Sequence, residues 1–243
     1  METHVELRAE ATLPLAMPET PPNPELLRAL GRLVRGLSAL FWGLPVALAV
    51  CVQTVRLDML RTFGVLPPVL VTGWIVYGLW QFGFFQKQER VWIHALDKAK
   101  WLALVNLGLS PFIYFWSRLP DEPLYFIMVL ILALSGLLFL AALNTVLYRL
   151  TAMLPDESLR QETRYFTMIN RYLVAGILLL GVAVFILLRF PELLESAGIF
   201  LQELHPAGPW LLVFLVLLPL AMTMALIWKI KEVILDSVFG PGR

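Results

Sequence analysis

Six long apolar stretches, separated by connections whose basic residues alternate sharply in number, constrain this chain more than any other feature. They cover residues 37–55, 65–85, 101–117, 124–147, 173–188 and 209–228. A helix needs about 20 residues to cross a hydrocarbon core of about 30 Å. The third and fifth stretches are short, but the fifth can extend back through residues 167–172, where no helix breaker stands. Within lipid, a helix satisfies every backbone donor and acceptor inside one segment. None of the six stretches has the two-residue alternation of a barrel strand. The fold class expected is therefore all-α, a polytopic helical membrane protein with six transmembrane helices.

The connections give an orientation. The first tail carries Arg8, Arg28, Arg32 and Arg35. The second connection carries Lys87, Arg90, Lys98 and Lys100, and the fourth Arg149, Arg160, Arg164 and Arg171. The C-terminus adds Lys229, Lys231 and Arg243. These fifteen face only four on the other side: Arg56, Arg61, Arg118 and Arg189. The positive-inside rule then places both termini in the cytoplasm. A model with five or seven spans would spoil the alternation. Tryptophans agree, since Trp42, Trp92, Trp101, Trp116, Trp210 and Trp228 fall near span ends, where amphipathic rings prefer the headgroup level. Trp74 and Trp80 lie deeper and are expected to pack between helices.

Composition enters as a check. The chain is 59% hydrophobic and 15% charged, with a mean hydropathy of +0.76. A soluble domain holds about 25% charged residues. Its 243 residues suit one membrane domain over 26–236 and leave no room for a soluble catalytic domain. Residues 1–25 hold five prolines and five acids and lack an apolar signal-peptide core. They are expected to be a disordered cytoplasmic tail, with 237–243 as a short C-terminal tail, and the first span as an uncleaved anchor. Cys51, the single cysteine, excludes an internal disulfide and is expected to pack as a small hydrophobe. A bacterial inner membrane is the expected location.

Ionisable residues at mid-membrane depth mark function by default. The six stretches hold none, and their deep polar residues are neutral. Gln53, Trp74, Tyr77, Gln81, Asn106 and Asn144 are the candidates for lining a solute path or for helix contact. Trp74, Tyr77 and Gln81 share one helical face and are expected to meet a neighbouring helix, with a pocket as the alternative. The basic residues Arg32, Arg35, Lys98, Lys100, Arg160, Arg164, Arg171, Lys229 and Lys231 are candidates for contact with anionic lipid, worth roughly 1 kcal/mol each near the surface. Acids interleave with them, which argues against a nucleic-acid partner.

The chemistry of known enzymes is poorly represented. No GxSxG, HExxH, P-loop or CxxC motif occurs. His94 precedes Asp97 by three residues and could pair with it on a helix. Glu192, Glu195, Glu203 and His205 fall in a segment, 191–208, patterned as an interfacial helix, where a solvated acidic face is expected over a cation site. Arg56, Arg118 and Arg189 each end a span, and prolines follow the last two closely. Snorkelling arginines with proline stops explain this more simply than a repeated hairpin. No cofactor or metal is implied. The leading expectation is a non-enzymatic accessory or scaffolding subunit of a membrane assembly, with the bilayer, other membrane proteins or a second copy as partners. The first alternative is a small transporter or channel for a neutral or lipid-like solute, and the second a lipid-modifying enzyme.

Overall fold

A computed structural model describes residues 24–56, 62–85, 89–153, 157–189 and 208–239, all helix or short turn. The leader over 1–23, the patterned segment 191–207 with its acids and His205, and the last four residues lie outside them. Among the described residues seven helices follow in order: α1 Pro24–Arg56, α2 Leu66–Phe82, α3 Arg90–Leu109, α4 Pro111–Arg118, α5 Pro123–Ala152, α6 Glu157–Arg189 and α7 Gly208–Phe239. Among the described residues three segments are long and apolar enough to cross a membrane, Leu27–Thr54, Pro123–Ala152 and Arg160–Ala183. This is a helical membrane protein.

Prolines set several boundaries. Pro67 and Pro68 open α2 and Pro123 opens α5, at positions where a missing N–H leaves no bond unmade. Pro111 splits the third apolar stretch into α3 and α4, because Ser110 ends one helix and Pro111 starts the next. Pro45 and Pro219 instead stand inside α1 and α7. Gly64, at φ 65°, takes the left-handed turn before α2 that other residues resist. Pro155 and the acids after it suit the start of a helix that runs into the fifth stretch. Indeed α6 is unbroken for 33 residues.

The helices form a closed ring. α1 packs on α2, α2 on α3, α3 on α5, α5 on α7, and α7 returns to α1; the α1–α2 contact is the most extensive, and α6 packs on α5 more extensively than α7 does. α4 fills in beside α1, α2, α3 and α5, and α6 lies against α5 and α7. The buried core is built from Leu33, Leu37 and Leu40 of α1, Leu79 and Phe82 of α2, Trp92, Leu96 and Ala99 of α3, Leu143, Leu147 and Leu150 of α5, and Ile227, Ile230 and Ile234 of α7. These are early residues of α1 and α3 and late residues of α2, α5 and α7. Neighbours in the ring from α1 to α5, and α7 against α1, therefore run antiparallel. The dense core gathers at one end of the bundle, the end rich in lysine and arginine.

α1 and α2 meet through glycine. Gly36 faces Gly78, and Gly43 faces Ile75. Gly36, buried Ala39 and Gly43 recur at three and seven residues, so one face of α1 is smooth enough for backbones to approach. α2 turns Ile75, Gly78, Leu79 and Phe82 into that contact. Its opposite face, with Leu70, Trp74, Tyr77 and Trp80, is left outside. This reverses the expectation for the tryptophans. Trp74 and Trp80 point outward, whereas Trp92, expected as an interfacial anchor, is buried between Phe82 and Phe85.

Candidate functional site

Beyond the core, at the end with few basic residues, the helices leave a half-open apolar cavity of about 390 Å³. Leu44, Leu48 and Cys51 of α1, Ile75 of α2, Ile113 of α4 and Leu132, Gly136 and Leu137 of α5 line it. Its polar corner is made of Thr72, Asn106 and Ser110. The Thr72 hydroxyl donates to the Pro68 carbonyl at 2.7 Å and lies 3.3 Å from the Ser110 hydroxyl, which donates to Leu107 O at 2.9 Å. These two are satisfied within the protein. Asn106 is not, because its buried Oδ1 accepts no hydrogen bond. A long apolar wall with one free acceptor is the lining that an apolar molecule with a single donor would need.

Three helices share a second polar feature. Thr223 of α7 accepts from Asn144 Nδ2 of α5 at 2.9 Å and from Asn170 Nδ2 of α6 at 3.0 Å. Its own hydroxyl donates to Pro219 O at 2.8 Å. Asn144 also donates to Leu140 O at 2.8 Å. All three side chains are buried. The cluster fixes the seat of α6, which otherwise lies on the outside of the ring. Asn170 escaped sequence reasoning because it falls before the fifth apolar stretch. An amide that follows Met168 and Ile169 inside the extended span would have flagged it.

The other sequence candidates divide clearly. Gln53 is exposed near the end of α1 and lines neither this cavity nor the three-helix cluster. Trp74 and Tyr77 are 45% and 52% exposed, and Gln81 beside them is partly so. Most of the basic candidates are already engaged. Arg32 lies over the Phe84 ring at 4.5 Å and Lys231 over Trp228 at 5.8 Å. Lys100 sits 3.9 Å from Asp97 and 5.7 Å from the Trp80 ring. Lys229 pairs with Glu162, and Arg160 donates to Ala152 O at 3.3 Å. Arg35 and Lys98 are exposed. Asp97 thus faces Lys100, while His94 stands exposed on α3. Among the described residues, no three His, Cys, Asp or Glu side chains lie together.

No protein-family model, no curated protein and no solved structure matches this chain.

Proposed function

We propose that this protein is a six-span inner-membrane subunit, both termini cytoplasmic, that scaffolds a larger membrane assembly through the outer face of α2. Antiparallel packing and the one-sided placement of lysine and arginine support the six-span reading. The observation that carries the scaffold reading is the aromatic face of α2. Side chains on a helix lean toward its N-terminus, so Trp74 and Tyr77 lie close to the middle of a 17-residue helix. There lipid tails surround them if nothing else does. Tyrosine and tryptophan favour the headgroup level because their polar atoms need partners. A phenol at mid-depth, with the Gln81 amide one turn on, is better matched by a polar group on another protein's helix.

The test is extraction of the tagged protein in native lipid, followed by mass spectrometry of what accompanies it. A stoichiometric membrane protein is expected with the wild type, and its loss from Trp74→Ala/Tyr77→Leu. A lone monomer in both samples overturns the reading. Both side chains are about half exposed, so the double variant is compared only as a protein that still unfolds cooperatively like the wild type.

The cavity favours a second reading, capture of a neutral lipid-like solute with one donor group. Here Asn106 would accept from the solute. A long-chain alcohol is expected to raise the unfolding midpoint of the wild type and leave Asn106→Leu unmoved. Without the alcohol, Asn106→Leu itself should be the more stable protein by about 1 kcal/mol, since an unpaired buried acceptor is removed. An alcohol that stabilises both proteins equally would place it elsewhere on the molecule.

A further inference from the structure

Arg164 and Arg171, which lack the contacts that engage Arg32, Lys100, Arg160, Lys229 and Lys231, line one groove together with Arg149, whose guanidinium lies 5.9 Å from the Tyr148 ring. We propose that the groove between α5 and α6 binds a single phosphate group, carried by the headgroup of an anionic lipid. This does not depend on the scaffold reading. The groove has a volume of about 660 Å³. Arg164, Thr167 and Arg171 enter it from α6 at intervals of three and four residues, hence from one face. Arg149 and Tyr148 close it from α5, and Ala141 forms part of its wall without filling it.

Three features make this more than a basic rim. First, among the described residues no carboxylate pairs with Arg149, Arg164 or Arg171, and the groove's lining contains none. Three guanidinium groups that line one groove without a counter-charge repel one another, and an anion relieves that. Second, two polar atoms at the groove are buried and unpaired, Thr167 Oγ1 and Asn170 Oδ1. Thr54, Thr72, Thr145, Thr151 and Thr223 all return their hydroxyls to a backbone carbonyl within their own helix. Thr167 does not, and its hydroxyl can donate to a phosphate oxygen. Asn170, which is 1% exposed, already donates to Thr223, so its free Oδ1 suits a hydroxyl on the same ligand.

Third, the groove is set at the right depth. α5 carries no charged residue before Arg149, yet Arg171 shares the groove with Ala141, about two turns deeper. An arginine there meets a headgroup drawn in between two helices more readily than open water. Glycerol-type headgroups combine the required anion with free hydroxyls. A soluble phosphate ester offers the same chemistry from the aqueous side.

The full chain in phosphatidylcholine nanodiscs carrying a trace of phosphatidylglycerol would be released into native mass spectrometry. One retained phosphatidylglycerol is expected on the wild type. Its retention should fall about tenfold in Arg164→Gln/Arg171→Gln, as two charge-assisted contacts are lost. It should persist in Arg160→Gln/Lys231→Gln, which removes the same charge from the same end of the bundle. Equal loss in the two double variants means diffuse attraction and overturns the site, as does the absence of any retained anion. Glycerol phosphate added to pure phosphatidylcholine discs is the second arm. Binding there with the same arginine dependence keeps the phosphate site and moves its source to solution. Should the double arginine variant fail to fold, Thr167→Val keeps all charge and is expected to reduce retention several-fold. Unchanged retention in a folded Thr167→Val would sever the hydroxyl from the site and sink the proposal.

Discussion

Gly36→Ala is expected to destabilise the protein by about 2 kcal/mol, and Gly36→Leu to prevent α1 and α2 from docking at all. A Cβ at Gly36 would stand 2.7 Å from the Gly78 carbonyl oxygen and 2.8 Å from two Phe82 ring carbons. The ring could tilt, but the carbonyl belongs to the α2 backbone and moves only if the whole helix does. Gly78→Ala meets its neighbours at 3.2–3.3 Å, so a smaller loss is expected. Gly73, Gly108 and Gly136 have nothing within 4 Å of the same position. Alanine at those sites should be neutral or stabilise by up to about 1 kcal/mol through helix propensity. Thermal unfolding in detergent of the five alanine variants checks the series. A Gly36→Ala midpoint equal to that of Gly73→Ala would mean that the two backbones do not touch. The two contact glycines share one crossing, so their combined effect should fall short of the sum.

That crossing also explains which parts of the fold could be read in the chain. Helix existence was legible because lipid demands long apolar runs, and α5 and α1 answer it with 30 and 33 residues. The break at Ser110 and Pro111 was marked by the proline, although it had been absorbed into a single span. The inward face was far less legible. In a soluble helix polar residues mark the outside, but in lipid both faces of α2 are apolar, and Trp74 differs little from Leu79 in kind. The informative signal was size. Gly36, Ala39 and Gly43 on one face of α1 select the α2 face that can come close, and the aromatic face goes outward by exclusion. The glycines of the second apolar stretch, Gly73, Gly78 and Gly83, are five residues apart and share no face, so they mark no such surface.

The candidate sites follow the same division. Asn106 and Asn144 were found as amides within apolar runs, and one borders the cavity while the other joins three helices. Their different roles were not legible, since each depends on what the neighbouring helix offers. Asn144 meets Thr223, while Asn106 Oδ1 meets no donor. Among the cationic residues, a charge count treats Arg160 and Arg164 alike. Packing separates them, because Arg160 reaches the Ala152 carbonyl at the turn and Arg164 enters the groove. The dense core at the basic end leaves the apolar cavity to the opposite half. The bundle is thus rigid where it would meet a charged headgroup and open where an apolar molecule could enter.

Thr223→Val is the second substitution from which a large effect is expected, a loss of about 2 kcal/mol. Valine keeps the volume and removes one hydroxyl, yet that hydroxyl serves three helices. Asn170 Nδ2 loses its acceptor, Asn144 keeps only Leu140 O, and the Pro219 carbonyl loses a donor. Interhelical hydrogen bonds in membranes average about 0.6 kcal/mol and reach about 1.7. Two are lost here, and the buried amides left behind have no water to turn to, which sets the estimate above twice the average and below twice the maximum. Removing all three partners together should behave differently. Asn144→Leu/Asn170→Leu/Thr223→Val leaves no polar group stranded, and replacing both sides of a buried hydrogen bond by apolar groups can be nearly neutral. The triple variant is therefore expected to recover most of what Thr223→Val loses. Denaturant unfolding in mixed micelles, monitored by tryptophan fluorescence, measures both. A triple variant less stable than the single one would show that the hydrogen bonds themselves, rather than the penalty for stranding their donors, hold α6 to α5 and α7.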